Sequence, residues 1–199
     1  MATAVEFRGC DNLVIAEVTV DDNESYTPGA VEELAPVGEI SKTVETSSEA
    51  KYYDNKPMIV INSEGADTVT FTVPALPLAM LAKITGKTVD QDTGAFIDGE
   101  RKEKYFAVGY RLKKTDGTYR YVWRFKGSFN IPDETSATEN NGTDSNNQQL
   151  TFTGISTTHK FTKGGAAKAM VIDESDNKAD VSTFFDTVTT PDTVKAKSA

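Results

Sequence analysis

The chain has 199 residues, enough for one well-formed core and short for two. Its hydrophobic content of 38% and mean hydropathy of −0.41 are on the polar side, and no run approaches the apolar length of a membrane span, so no membrane partner is expected. The single cysteine, Cys10, excludes an internal disulfide and a cysteine-rich metal site.

The net charge of −9 is unevenly spread. Residues 101–130 hold nine Lys or Arg and two acids, a local +7 that leaves −16 for the rest of the chain. Overall acidity speaks against a nucleic-acid affinity role, which needs net cation presentation. Unlike patches on one chain suit self-association. The start, Met1–Glu6, lacks the basic region and apolar stretch of a signal peptide, which predicts folding in a cytoplasm.

In chain order, residues 1–10 read as a flexible arm and residues 11–163 as a β domain. Leu13–Val20 alternates and predicts a strand, and Asp21–Gly29 an acidic loop. Ala30–Gly38 is punctuated by Pro36 and Gly38 and reads as irregular. Glu39–Glu49 predicts a hydroxyl-rich edge strand, and Lys51–Asn55 a turn beside two tyrosines. Met58–Ile61 is continuously apolar, the pattern of a strand buried on both faces. Thr68–Val73 alternates, with Val69, Phe71 and Val73 inward. From Pro74 to Gly86 the period changes: proline near the start and glycine past the end bracket one short helix. Its apolar residues, Leu81 and Ile84 among them, run almost all round, so it is expected to be buried between sheets or against a neighbouring subunit.

Two strands follow, Tyr105–Lys114 and Thr118–Lys126. Asp116-Gly117 between them is the signal of a two-residue type I′ hairpin loop. That turn sets Lys114 opposite Tyr119 and Leu112 opposite Tyr121. One face then collects Phe106, Val108, Tyr110, Leu112, Tyr121, Trp123 and Phe125 as core. The other collects Arg111, Lys113, Arg120, Arg124 and Lys126, a cationic row free for a partner.

Pro132–Gln149 is a long polar run, functional or disordered by composition. Leu150–Thr158 and Ala169–Ile172 read as strands, and Asp180–Phe185 as a capped helical turn within an extension spanning 164–199. The sum is a mainly β fold, a β-sandwich or partly closed barrel with one short buried helix.

Chemistry-bearing constellations are thin. His159 is the only histidine and has no nucleophile motif beside it. Asp21-Asp22-Asn23-Glu24 and Asp133–Asn147 lack the alternate spacing of a calcium loop. No phosphate-binding or dinucleotide fingerprint is present, so neither an enzyme nor a cofactor is expected.

The order of Glu39-Ile40-Ser41-Lys42, Tyr52-Tyr53-Asp54-Asn55, Ile61-Asn62-Ser63-Glu64-Gly65, Thr72-Val73-Pro74-Ala75-Leu76, Leu81-Ala82-Lys83-Ile84-Thr85-Gly86, Lys104–Arg111, Tyr119–Arg124, Ile131–Thr135 and Leu150–Gly154 resembles the major tail proteins, or tail tube proteins, of long-tailed bacteriophages of Gram-positive bacteria. The resemblance covers most of residues 11–161, while residues 165–199 match less closely. It implies a β-sandwich-like barrel with a flanking helix, and hexameric rings of the chain stacked into a tube around the tape measure protein. The tail terminator and distal tail proteins are implied as further partners, and DNA as a passenger in the lumen that is not specifically bound. The setting implied is the virion tail, assembled in the host cytoplasm. Subunit contacts are then expected at Arg111, Lys113, Arg120, Arg124 and Lys126, and at Pro132, Asp133, Glu134, Asn141 and Asp144 of the long loop. The competing reading is a non-catalytic β-sandwich module that binds carbohydrate or a cell surface.

Overall fold

The computed structural model describes residues 4–133 and 147–197. Among these, the strands are β1 (Phe7–Asp21), β2 (Tyr26–Pro28), β3 (Glu32–Glu33), β4 (Glu39–Tyr53), β5 (Lys56–Val73), β6 (Thr88–Val89), β7 (Phe96–Ile97), β8 (Phe106–Lys114), β9 (Tyr119–Phe129), β10 (Gln148–Ile155) and β11 (Ala169–Asp173). The helix α1 spans Leu78–Thr85. The main sheet is antiparallel, in the order β2-β1-β8-β9-β10-β5-β4, with β11 beside β9 and β3 beside β1. It is not closed, and the fold is mainly β as the sequence predicts. Residues 7–10 belong to β1, where they face the end of β8.

The sheet has a core on each side. The inner core gathers Leu13 and Ile15 of β1, Val69, Phe71 and Val73 of β5, Phe106, Val108 and Tyr110 of β8, and Phe129, Leu150 and Phe152, with Ile84 of α1 over them. The outer core gathers Val14 and Ala16 of β1 with Tyr121, Trp123 and Phe125 of β9. The segment after β10 covers it with Phe161, Phe184 and Val188, and Trp123 Nε1 donates to the Phe184 carbonyl at 2.9 Å.

This two-sided arrangement corrects the predicted hairpin register. The observed pairs are Lys113 with Tyr119, Leu112 with Arg120, Arg111 with Tyr121 and Gly109 with Trp123. The cause is the turn. Only Gly117 has positive φ (86°); its N–H donates to the Lys114 carbonyl at 3.1 Å, and the Lys114 N–H donates to Thr118 at 2.9 Å. The loop is therefore the three-residue Thr115-Asp116-Gly117 with a left-handed glycine. One extra loop residue exchanges the two faces of β9. Tyr121, Trp123 and Phe125 thus point away from Phe106, Val108 and Tyr110. All six are buried, while Leu112 and Leu81 are half-buried. Gly109 lets the Trp123 ring cross β8, since a Cβ there would sit 2.9 Å from both the ring and Val14.

Two further expectations are corrected. Helix α1 is buried on one side only: Ala82, Ile84 and Thr85 are inside, whereas Leu78 is about half exposed. Gly86 ends it in the left-handed conformation at φ 70°. Met58–Ile61 is exposed on both faces, with Met58 67% accessible.

Candidate assembly surface

The reason for that exposure lies in β4 and β5. Strand β5 pairs with β10 only from Asp67 to Val73, and Gly154 is the partner of Asp67. Before Asp67 it pairs with β4 alone, out to Tyr53 opposite Lys56. Asp54 (φ 48°) and Asn55 (φ 60°) close the ribbon in a two-residue loop with both residues left-handed, so the type I′ geometry occurs here. Residues 45–65 form a two-stranded arm beyond the body. It carries Tyr52, Tyr53, Met58, Ile59, Val60 and Ile61, all more than half exposed or at half. A lone two-stranded ribbon is marginal in water, and exposed apolar side chains gathered on one ribbon mark a contact surface.

The arm leaves the body at a buried ion cluster. Arg124 of β9, only 3% exposed, donates to Asp67 and lies within 3.3 Å of the Tyr110 hydroxyl. Lys168 donates to Asp67 at 3.2 Å and to the Gly65 carbonyl at 3.0 Å, and Lys42 of β4 stands 3.6 Å from the same carboxylate. Burial raises the Asp67 pKa, but the Lys168 hydrogen bond and the charges of Arg124 and Lys42 outweigh it, and the group sits below the usual carboxylate value. The cluster ties together both strands of the arm, the central sheet and the segment leading to β11.

The cationic row predicted on one face is distributed. Arg111 grips Asp11 with two hydrogen bonds, 2.6 and 3.2 Å, and its guanidinium lies 4.3 Å from the centre of the Tyr119 ring. Arg120 reaches Asp173 at 2.9 Å, and Lys114 binds the same carboxylate and Ser175. Burial raises the Asp173 pKa, and the bonds from Lys114, Ser175 and Arg120 bring it well below the carboxylate range. Lys126 binds Asp21, which also accepts the Thr158 and His159 N–H groups. Lys113 is exposed and pairs with no acid among the described residues. Arg124 is thus a core residue, which corrects its expected place on a free surface. The partners Asp11, Asp21, Asp67 and Asp173 lie 53 to 105 residues away in sequence, so local patterning carries no sign of them.

Pro132 is half-buried and Asp133 exposed where the described chain pauses, beside an exposed Ile131. Glu134, Asn141 and Asp144 lie outside the described residues. Among the described residues no group of three His, Cys, Asp or Glu is placed to hold a metal. Asp22 Oδ1 accepts from the Glu24 and Ser25 N–H groups, both at 2.8 Å. His159 sits edge-on to Phe161, 5.2 Å between ring centres. No helix among the described residues is long and apolar enough to cross a membrane.

No curated protein matches the chain. The family model for the phage tail tube protein matches residues 40–193, which takes in the arm, the central hairpin and most of the covering segment after β10. The chain belongs to the phage tail tube protein family, a structural component of the virion tail.

Proposed function

We propose that the chain polymerises as stacked rings into the tail tube of a long-tailed phage, the conduit for genome delivery. The observation that carries this reading is the arm: a two-stranded ribbon covered by no further strand among the described residues, with the consecutive apolar Met58–Ile61 exposed on both of its faces. Such a surface on a polar, acidic protein is made for burial against another copy.

In this reading the rings are hexameric and stack around the tape measure protein, with the tail terminator and distal tail proteins as further partners. The acidic surplus faces the lumen and repels DNA phosphate, so the genome slides without sticking. Lys113, with the accessible parts of Arg111, Arg120 and Lys126, meets acids of a neighbouring copy, and Pro132 and Asp133 lead the long loop into a second contact. Assembly takes place in the host cytoplasm.

Negative-stain microscopy of the purified chain tests the reading. Rings or long hollow tubes are expected. The alternative, a carbohydrate-binding module, draws on one observation, the adjacent exposed Tyr52 and Tyr53 at the arm's turn. A protein that stays dispersed and binds glycans would establish that alternative instead.

A further inference from the structure

The arm has a chemical counterpart elsewhere on the same molecule. A groove of about 260 Å³ opens between the stretch before β4 and the stretch entering α1. Its lining joins the buried Leu34 and Ala35 and the half-buried Met80 to the exposed Pro36, Pro74 and Pro77 at the rim. Three rim prolines have no N–H to offer, so the rim is poor in donors for a polar guest and suits an aliphatic one. The volume is below that of a typical small-molecule site and fits a few side chains. Glu33 stands in its lining, and Glu33 pairs with no cation among the described residues. On the arm, Lys56 stands two residues before Met58 and likewise pairs with no acid among them.

The arm cannot fill the groove of its own chain. Met58–Ile61 and Pro74 lie toward opposite ends of one strand, β5, which runs without a break from Lys56 to Val73. At about 3.3 Å per residue, the 13 to 16 steps between them span roughly 40 to 50 Å. Two complementary patches at opposite ends of one subunit make a head-to-tail contact, each copy giving its tip and receiving another's.

We infer that the groove bounded by Leu34, Pro36, Pro74 and Met80 is the seat for the Met58–Ile61 strand of a second copy, with Lys56 of the arm set against Glu33 of the receiving subunit. This rests on the reading of the chain as a self-assembling tube subunit and names the surface that receives the arm. The exposed Leu78 beside the groove extends the same apolar face.

Site-directed cross-linking tests it. Cys10→Ser removes the native thiol. Val60→Cys and Ala75→Cys are then placed in separate chains; both positions are exposed, so both chains fold. The two chains are mixed, allowed to assemble and oxidised with copper phenanthroline. A covalent dimer is expected from the mixture and not from either chain alone, and a chain bearing both substitutions gives a ladder of higher multimers. If tubes form and the mixture yields no dimer, the groove is not the seat, while the tube reading stands. If the unmodified chain forms neither rings nor tubes under any assembly condition, both readings fall. An independent check is Ala75→Arg, which fills the groove with a charge: it should block assembly at an unchanged melting temperature, and normal tubes from it would overturn the inference.

Discussion

Strand β5 belongs to two different environments. From Ala66 to Val73 its residues alternate between buried and half-buried, with Val69, Phe71 and Val73 sealed in the inner core. From Lys56 to Gly65 every residue is exposed, although this half holds the more apolar run. The body half meets β10 on one side and β4 on the other; the arm half meets only β4. Hydrophobicity alone therefore does not decide burial. The number of neighbouring strands does, and the arm's apolar side chains are left uncovered among the described residues.

That contrast can be broken from the body side first. Trp123→Ala removes the centre of the outer core and its bond to Phe184, and should cost about 3–5 kcal/mol, read from denaturant unfolding. Asp67→Ala leaves Arg124 buried without its carboxylate and should cost a similar ~3–5 kcal/mol. The loss should also appear as faster amide exchange in residues 43–66, because the cluster sits at the root of the arm. Unchanged exchange there would show that the cluster serves the body alone.

Acid offers a gentler route. Asp21, Asp67 and Asp173 have folded pKa values below their ordinary one, so the stability they contribute is present above about pH 4. It is lost as pH falls from there through the depressed values. Thermal stability should thus fall on acidification below about pH 4 and stay flat from pH 5 to 7 on their account. Smaller again is Gly117→Ala, which forces a Cβ into a left-handed position and should cost about 1–2 kcal/mol.

The sequence makes the β class, the helix with its proline and glycine brackets, and most strand positions legible, because period and turn chemistry are local. The register of the central hairpin is not local. Asp116-Gly117 serves a two-residue loop or the end of a three-residue one, and the choice exchanges faces. The run Tyr121-Val122-Trp123-Arg124-Phe125 tolerates either reading, because Val122 and Arg124 are also buried, the latter by way of Asp67. The cationic row dissolved for the same reason: its partners come from β1, β5 and the end of β11. Met58–Ile61 was readable as a strand needing cover on both faces. Among the described residues nothing covers it, and composition does not separate burial within a subunit from burial between subunits.

The most direct test of the arm's role is the pair Ile59→Asp and Val60→Asp made together, measured for stability and assembly in the same preparation. Both residues are exposed in the single chain, so the melting temperature should barely move, a change within about 0.5 kcal/mol. Assembly should be lost, leaving dispersed, folded subunits by microscopy and sedimentation. Tubes of normal length from the doubly charged arm would contradict the account.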